Sequence, residues 1–142
     1  MLATMYADNG IGLAAPQVGV NKRLMVFNEF GDPEDKESEM VLANPIIIDK
    51  SSLKGSSEEG CLSFPNMYGE VERHYRVTVD YQDITGQKKK IRLEGYPAVI
   101  FQHEYDHLDK VLLIDRFSST DKKRFAVQLQ EMIDRYGPGA VL

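Results

Sequence analysis

The sequence has little of several things, and each scarcity excludes a class of protein. Cys61 is its one cysteine, so no internal disulfide can form and we expect a reducing, intracellular location. No apolar run is long enough to span a bilayer, and the first ten residues lack the basic and apolar segments of a secretory signal. The net charge is −5, without a basic patch, so we expect no nucleic-acid or membrane binding.

What is present is the composition of an ordinary globular protein. Hydrophobic residues make up 42% of the chain and charged residues 27%. A chain of 142 residues is long enough to bury a sizeable core. We therefore expect residues 1–142 to form a single domain.

Hydrophobic patterning predicts strands in the first two thirds of the chain. Apolar runs favour strands over 24–28 and 41–49, and Pro45 indicates an edge or a bulge in the second. Alternation over 74–82 predicts a half-buried strand, and 88–93 can return as its hairpin partner. The predicted buried face of that strand consists of Tyr75, Val77, Val79 and Tyr81.

Helices are predicted mainly in the last third. Pro97 suits the first turn of a helix that runs through His107. Thr120 can cap a final helix that ends at the glycines and proline of 137–139. Its apolar positions, at helical spacing, are Phe125, Leu129, Met132, Ile133 and Tyr136. A succession of strands followed by helices is the α+β pattern.

The most informative short pattern is H-E-x-x-H, at His103, Glu104 and His107. On a helix the two histidines lie about 40° apart, so their rings can converge on one metal ion. Glu104 lies about 60° from His107, close enough to approach a metal-bound water without binding the metal. The alternative is a pair of hydrogen-bonded core histidines with Glu104 on the surface, although burying such a pair is costly.

A catalytic metal needs a third protein ligand. His74 falls on the polar side of the alternating strand and is expected to be exposed, while Glu131 is the one carboxylate at a protease-like distance in the last helix. Cys61 is the better candidate, because a thiolate with two imidazoles suits zinc or ferrous iron and leaves a position for water. The alternative for Cys61 is a small buried hydrophobic residue.

Three segments together resemble the three signature motifs of the peptide deformylase family. They are GIGLAAPQVG at 10–19, EGCLS at 59–63 and QHEYDHL at 102–108, in the family's order and at similar spacings. The resemblance covers nearly the whole chain and is nearest to the plastid-and-bacterial branch. It implies an α+β fold in which antiparallel or mixed sheets surround the metal-binding helix, with a further helix at the C-terminus.

The resemblance implies the reaction and the cofactor. Cys61, His103 and His107 would hold one divalent ion per chain, natively ferrous iron, with zinc, nickel or cobalt able to substitute. The chain would hydrolyse the formyl group from the N-terminal formylmethionine of new polypeptides near the ribosome exit and release formate. We expect a monomer in a bacterial or virus-infected bacterial cytoplasm, or in the plastid stroma.

It also implies roles for the residues around the metal. Glu104 would take the water's proton and pass it to the leaving amine, while the Gln17 amide and the Leu62 backbone N–H would meet the oxyanion. Other positions would bind the peptide as an added strand and line its methionine pocket. These are Gly10, Ile11, Gly12, Gly60, Val99 and Ile100.

Outside the metal shell, Arg73 matches a position that supports the ligands. We expect it to pair with one or both of two carboxylates, Glu59 and Asp106. The alternative for Arg73 is a surface ion pair.

Three features depart from the family pattern. About two helical turns precede the first motif, so we expect a catalytic domain that is short at its N-terminus. Lys110 stands where glycine is common, and it would cost about 1 kcal/mol if the backbone is left-handed there. Tyr68 stands where many bacterial members have arginine, so contacts with later substrate residues are expected to differ.

Two other functions stay open: a peptidase whose third ligand is not cysteine, and a metal-binding or peptide-binding relic without activity.

Overall fold

The structure is a computed structural model that describes residues 1–61, 64–111 and 113–136. Side chains are described in these ranges except at 61, 64–67, 114, 125, 128, 129, 132 and 136. The described helices are α1 Leu2–Ala7, α2 Tyr96–Leu108, α3 Leu113–Arg116 and α4 Ser119–Tyr136, with short 3-10 helices at Ala15–Val18 and Lys36–Ser38. The described strands are β1 Gly12–Ala14, β2 Leu24–Asn28, β3 Glu39–Lys50, β4 Lys54–Cys61, β5 Phe64–His74, β6 Arg76–Gln82 and β7 Lys88–Glu94.

Five of these strands form an antiparallel sheet in the order β1-β2-β3-β6-β7, and β4 pairs with β5 in a second sheet. The chain divides into two compact units, Met1–Gly55 with Arg73–Val111, and Ser56–Glu72 with Leu112–Leu142. The first unit contains the five-stranded sheet and α2. In the part of the chain that the structure describes, no helix is long and apolar enough to cross a membrane. The predicted α+β class, with its antiparallel sheet and C-terminal helix, is confirmed.

The core of the first unit lies where α2 packs against the sheet. Apolar side chains of the helix, with Phe101 fully buried, meet those of β2, β3, β6 and β7 in one cluster. A second cluster joins Met5 of α1 to Leu13 and Val26 of the sheet. Because α2 is packed against β1, β2 and β7, its functional residues are held by a rigid scaffold.

Several predicted elements are confirmed. β2 covers the predicted residues 24–28, β7 follows its hairpin turn, and α2 carries Pro97 in its first turn and extends past His107. Pro45 lies in a bulged part of β3, where the pairing with β6 shifts register after Ala43. The edge interpretation of Pro45 is wrong, because β3 lies at the centre of the sheet.

The strand predicted over 74–82 begins two residues later than expected. Val77 and Val79 are buried as predicted, but Tyr75 is 48% exposed because it lies in a bend between β5 and β6. His74 ends β5 and is half-buried rather than exposed, with its Nδ1 2.8 Å from the Ser51 carbonyl oxygen. The alternation of polar and apolar residues continues across the bend at Tyr75, so the pattern alone does not show where β5 ends and β6 begins.

The final helix begins at Ser119, two residues earlier than a cap at Thr120 predicts. Ser118 provides the cap, since its Oγ accepts a hydrogen bond of 3.2 Å from the Asp121 backbone N–H. Of the predicted apolar face, Ile133 is half-buried, and the other four side chains lie outside the described ones. The predicted terminator at 137–139 also lies outside the described residues.

Lys110 gives a direct test of backbone strain. Its φ is +59°, the left-handed region that glycine tolerates best. We expect Lys110→Gly to raise the free energy of unfolding by about 1 kcal/mol, measured by denaturant titration. Lys22, an exposed lysine outside the helices and strands and without a positive φ, is the control, and a Lys110→Gly variant no more stable than Lys22→Gly would contradict the strain.

Candidate active site

The two histidines of the H-E-x-x-H pattern lie side by side on α2. Their ring centroids are 5.1 Å apart in an edge-to-face arrangement, and both side chains are half-buried. Burial is the main cause that lowers the pKa of His107 to about 4, with the nearby His103 acting in the same direction. A neutral imidazole is the form that binds a metal, so His107 is ready to act as a ligand at neutral pH.

Glu104 stands between the two histidines in the sequence, and its side chain is buried, so the alternative that places it on the surface is wrong. Its residue exposure is 5%, and its Oε2 has no hydrogen-bond partner among the described residues. Burial raises the pKa of its carboxyl to about 7, although the charge of His103 acts in the opposite direction. A carboxyl with a pKa near neutrality can both accept and return a proton, and its unpartnered oxygen suits a water or substrate donor.

The backbone of Gly12 leaves room for this carboxyl. A Cβ atom at Gly12 would lie 2.8 Å from Oε1 of Glu104 and 3.0 Å from its Cγ. Distances this short are not tolerated between real atoms, so any other residue here would displace Glu104 or the strand. Glycine is therefore required by a close approach between β1 and α2 rather than by its own φ angle.

Strand β1 has one open edge. Among the described strands it pairs with β2 alone. The Ile11 carbonyl oxygen accepts from the Asn28 N–H at 2.8 Å on the β2 side, whereas the Ala14 N–H donates to the Gln17 side chain. Because backbone groups alternate along a strand, those of Gly12 face the open edge, where an extended peptide could be added.

A hydrogen bond from the backbone fixes the orientation of the Gln17 side chain. Its Oε1 accepts the Ala14 N–H at 2.9 Å, and the residue is exposed in the short 3-10 helix that follows β1. Since the oxygen is occupied, the two amide hydrogens are directed away from the strand. They are available as donors to a developing oxyanion.

Behind the histidines, Arg73 forms a buried ion pair with Asp106. The guanidinium Nη1 lies 2.6 Å from Oδ2, and both residues are less than a tenth exposed. The pairing predicted between Arg73 and Asp106 is therefore present, and it is not a surface contact. Removing one partner of a buried pair leaves the other charge buried, so substitution of either residue is expected to be strongly destabilising.

These residues belong to a chain whose first 123 residues match the polypeptide deformylase family. The chain belongs to this family. It is 46% identical over 136 residues to peptide deformylase 1B, chloroplastic/mitochondrial, of Arabidopsis thaliana, which covers 96% of this chain and 50% of that protein. It is 42% identical over 132 residues to the peptide deformylase of Thermotoga neapolitana, covering 93% of this chain and 77% of that protein.

Solved structures of the deformylase family share the fold. The crystal structure of Arabidopsis thaliana peptide deformylase 1B in complex with an inhibitor superposes with a TM-score of 0.90 at 45% identity, covering 100% of this chain and 78% of that one. The family predicted from the three motifs is confirmed. The chain spans about half the length of the plant relatives it matches.

The remaining predicted site residues lie on several elements and differ in burial. Val99 is half-buried one turn before His103, and Ile100 is buried in the main core. Gly60 lies on β4 against the Tyr68 ring, which a Cβ at that position would overlap. Glu59 also lies on β4, Gly10 precedes β1, and Glu131 is exposed on α4.

The third metal ligand stays a prediction. Cys61 is the last residue of β4, but its side chain lies outside the described ones, and so does all of Leu62. Among the side chains that are described, no group of three histidine, cysteine or acidic residues could hold a metal. The histidine pair is the described part of the predicted ligand set.

Sequence reasoning missed Gln102, which is buried beside the histidines. Its Nε2 donates to the carbonyl oxygens of His74 at 2.8 Å and Ala98 at 3.0 Å, and its Oε1 accepts from the His74 N–H at 3.0 Å. One sequence signal was available. Gln102 is four residues before Asp106, so both belong to the same row of the helix.

The pKa of Glu104 predicts how the stability of the metal-free protein depends on pH. The folded value, about 7, is above the ordinary value of 4.5, so the folded state holds the proton more tightly. The contribution of Glu104 to stability is therefore greatest below pH 4.5 and is lost as pH rises through 7, whereas the lowered pKa of His107 acts in the opposite direction. In the chelator-treated protein, we expect Glu104→Gln to gain about 3 kcal/mol relative to the parent between pH 4.5 and pH 8. Denaturant titrations at both pH values measure this, and a constant difference would show that Glu104 ionises normally.

Proposed function

We propose that this chain removes the formyl group from the N-terminal formylmethionine of newly made polypeptides and releases formate. The observation that carries the proposal is Glu104, a buried carboxyl whose Oε2 has no partner among the described residues and whose pKa burial raises to about 7 in the metal-free protein. Its side chain lies against Gly12 of β1, a strand whose second edge pairs with no described strand. A proton acceptor beside a peptide-binding edge is what hydrolysis of an N-terminal amide requires.

Cys61, His103 and His107 would hold one divalent metal ion, natively ferrous iron, with zinc, nickel or cobalt as substitutes. The donor set fits such an ion, because the two rings are adjacent and His107 is neutral at physiological pH. When bound, the ion would lower the pKa of a water and polarise the formyl oxygen. Arg73, with Asp106 and Glu59, would support the ligands from outside.

The chain's own groups would manage the protons and the charge. Glu104 would take a proton from the attacking water and deliver it to the amine that leaves. The Gln17 amide hydrogens and the Leu62 backbone N–H would donate to the oxygen of the tetrahedral intermediate. Fixed donors need no reorganisation during the reaction, and the hydrogen bond from Ala14 to Gln17 supports that function.

The substrate would bind as an additional strand. Backbone groups of Gly10, Ile11, Gly12 and Gly60 would contact the peptide. The edge of β1 that no described strand pairs with supports this mode for Gly12, whereas the Ile11 carbonyl oxygen already accepts from Asn28. Val99 and Ile100 would line the methionine pocket. Because Gln17 follows β1 and would hold the formyl oxygen, the rest of the peptide would run antiparallel to β1 towards Ile11.

Residues 1–142 would act as a single catalytic domain. Its partners would be formylated nascent chains near the ribosome exit, and it would work as a monomer in the cytoplasm of a bacterial or virus-infected bacterial cell or in the plastid stroma. The organellar alternative is supported by the Arabidopsis relative, which is named chloroplastic/mitochondrial.

Formate release from formyl-Met-Ala-Ser tests the proposal. Protein prepared anaerobically with ferrous iron, or reconstituted with nickel, should turn over this peptide, and Cys61→Ser should lose both metal and turnover because its hard oxygen is a poor replacement for thiolate. Retention of metal by Cys61→Ser would instead favour the alternative function, a peptidase whose third ligand is not cysteine. Metal-loaded parent protein without turnover would favour the inactive relic.

A further inference from the structure

One row of α2 is polar yet buried. Gln102 and Asp106 lie four residues apart on the helix, and both are 7% exposed. Their partners are adjacent residues at the end of β5: His74 for Gln102 and Arg73 for Asp106. The helix is therefore attached to the end of β5 at two points, one turn apart.

Gln102 makes this attachment with its whole amide group. It donates to the His74 carbonyl oxygen at 2.8 Å and accepts from the His74 N–H at 3.0 Å, so it pairs with the strand end as a neighbouring strand residue would. Its second amide hydrogen goes to Ala98 on the preceding turn. Because both directions of the amide are used, the side chain cannot rotate without losing hydrogen bonds.

Rotation of α2 about its axis would misplace the histidines. His103 and His107 form the row next to Gln102 and Asp106, about 100° around the helix. An atom about 6 Å from the axis moves about 1.5 Å when the helix rolls by about 15°. Metal–ligand distances tolerate only about 0.2 Å. Apolar packing holds α2 against the sheet, and the directional hydrogen bonds of Gln102 add a further constraint on this roll.

We propose that Gln102 is a positioning residue that fixes the roll of α2 so that His103 and His107 meet the metal together. The inference rests on the proposed function for its metal site. Gln102 touches neither the substrate nor the ion, and acts through the helix that carries the two ligands. A purely structural role, in which Gln102 only satisfies the backbone groups of His74, would change stability but not metal coordination.

The experiment compares cobalt binding by the parent and two variants. Methionine is similar in size to glutamine, so Gln102→Met removes all three hydrogen bonds without a large change in volume. Val26→Ala is the control, because it weakens the second core cluster and leaves the hydrogen bonds of Gln102 in place. Affinity for cobalt(II) is measured by competition with a chelating indicator, and the d–d absorption bands report the coordination geometry. Both variants are studied at a temperature where circular dichroism shows them folded.

We expect Gln102→Met to bind cobalt roughly 10- to 100-fold more weakly, with an altered absorption spectrum, and Val26→Ala to stay within about twofold of the parent. Turnover should fall through kcat more than through KM. Unchanged affinity and spectrum in Gln102→Met would overturn the inference, as would an equal loss in Val26→Ala.

If Gln102→Met does not fold, Gln102→Asn takes its place. It keeps an uncharged amide but is one methylene shorter, so it cannot keep the hydrogen bonds to His74 with the helix in place; a loss of cobalt affinity is expected, and none would again overturn the inference. Failure of the proposed function gives a different result, because the parent protein would then bind cobalt but release no formate.

Discussion

Replacing Glu104 with alanine is expected to lower the rate of formate release by about 10³-fold while the metal stays bound. The reason is that Glu104 has a pKa of about 7 and a buried oxygen without a partner among the described residues. A positioned group that transfers protons contributes roughly 10²- to 10⁴-fold to a rate. Steady-state formate release and metal analysis of the same preparation measure both parts of the prediction.

The matched control for this loss is Glu131→Ala. Glu131 is an exposed glutamate on α4, and it was the carboxylate that the sequence offered as an alternative ligand. It should retain metal and turnover within about twofold, as surface substitutions usually do. Loss of metal in Glu131→Ala, with full turnover in Glu104→Ala, would reverse the roles assigned to the two residues.

The second large effect is expected from adding one methyl group to Gly12. A Cβ there would lie 2.8 Å from the Glu104 carboxyl oxygen, so the carboxyl must move away from β1. A displacement of about 1 Å in a catalytic group can lower the rate roughly 10²-fold. We expect Gly12→Ala to bind metal normally and to lose turnover on this scale, mainly in kcat.

Gly55→Ala is the control for Gly12→Ala. A Cβ at Gly55 meets nothing within 4 Å, and its φ is not positive, so the same methyl group should be harmless. The double variant Gly12→Ala with Glu104→Ala gives a sharper test. If Gly12 acts through Glu104, the methyl group should cost little once the carboxylate is gone. An additive loss would show that Gly12 acts through another contact, such as the peptide itself.

Much of the fold was predictable because its signals are local. The apolar run of β2, the hairpin turn before β7 and the proline in the first turn of α2 each reflect short-range physics that neighbouring residues determine. The errors came where the chain bends or where strand order matters. The alternation around Tyr75 crosses the junction of β5 and β6, and the central position of β3 depends on pairing with distant strands.

The sequence by itself determined the family and the identity of the reactive groups: the three motifs, the helical spacing of His103 and His107, and the glutamate between them. The tertiary structure decided how those groups behave. The raised pKa of Glu104 comes from burial, the need for glycine at position 12 comes from contact with a helix some ninety residues later, and the hydrogen bonds of Gln102 come from the end of β5. Each depends on segments far apart in the chain, because desolvation and close packing are properties of the assembled core and have no local signature in the sequence.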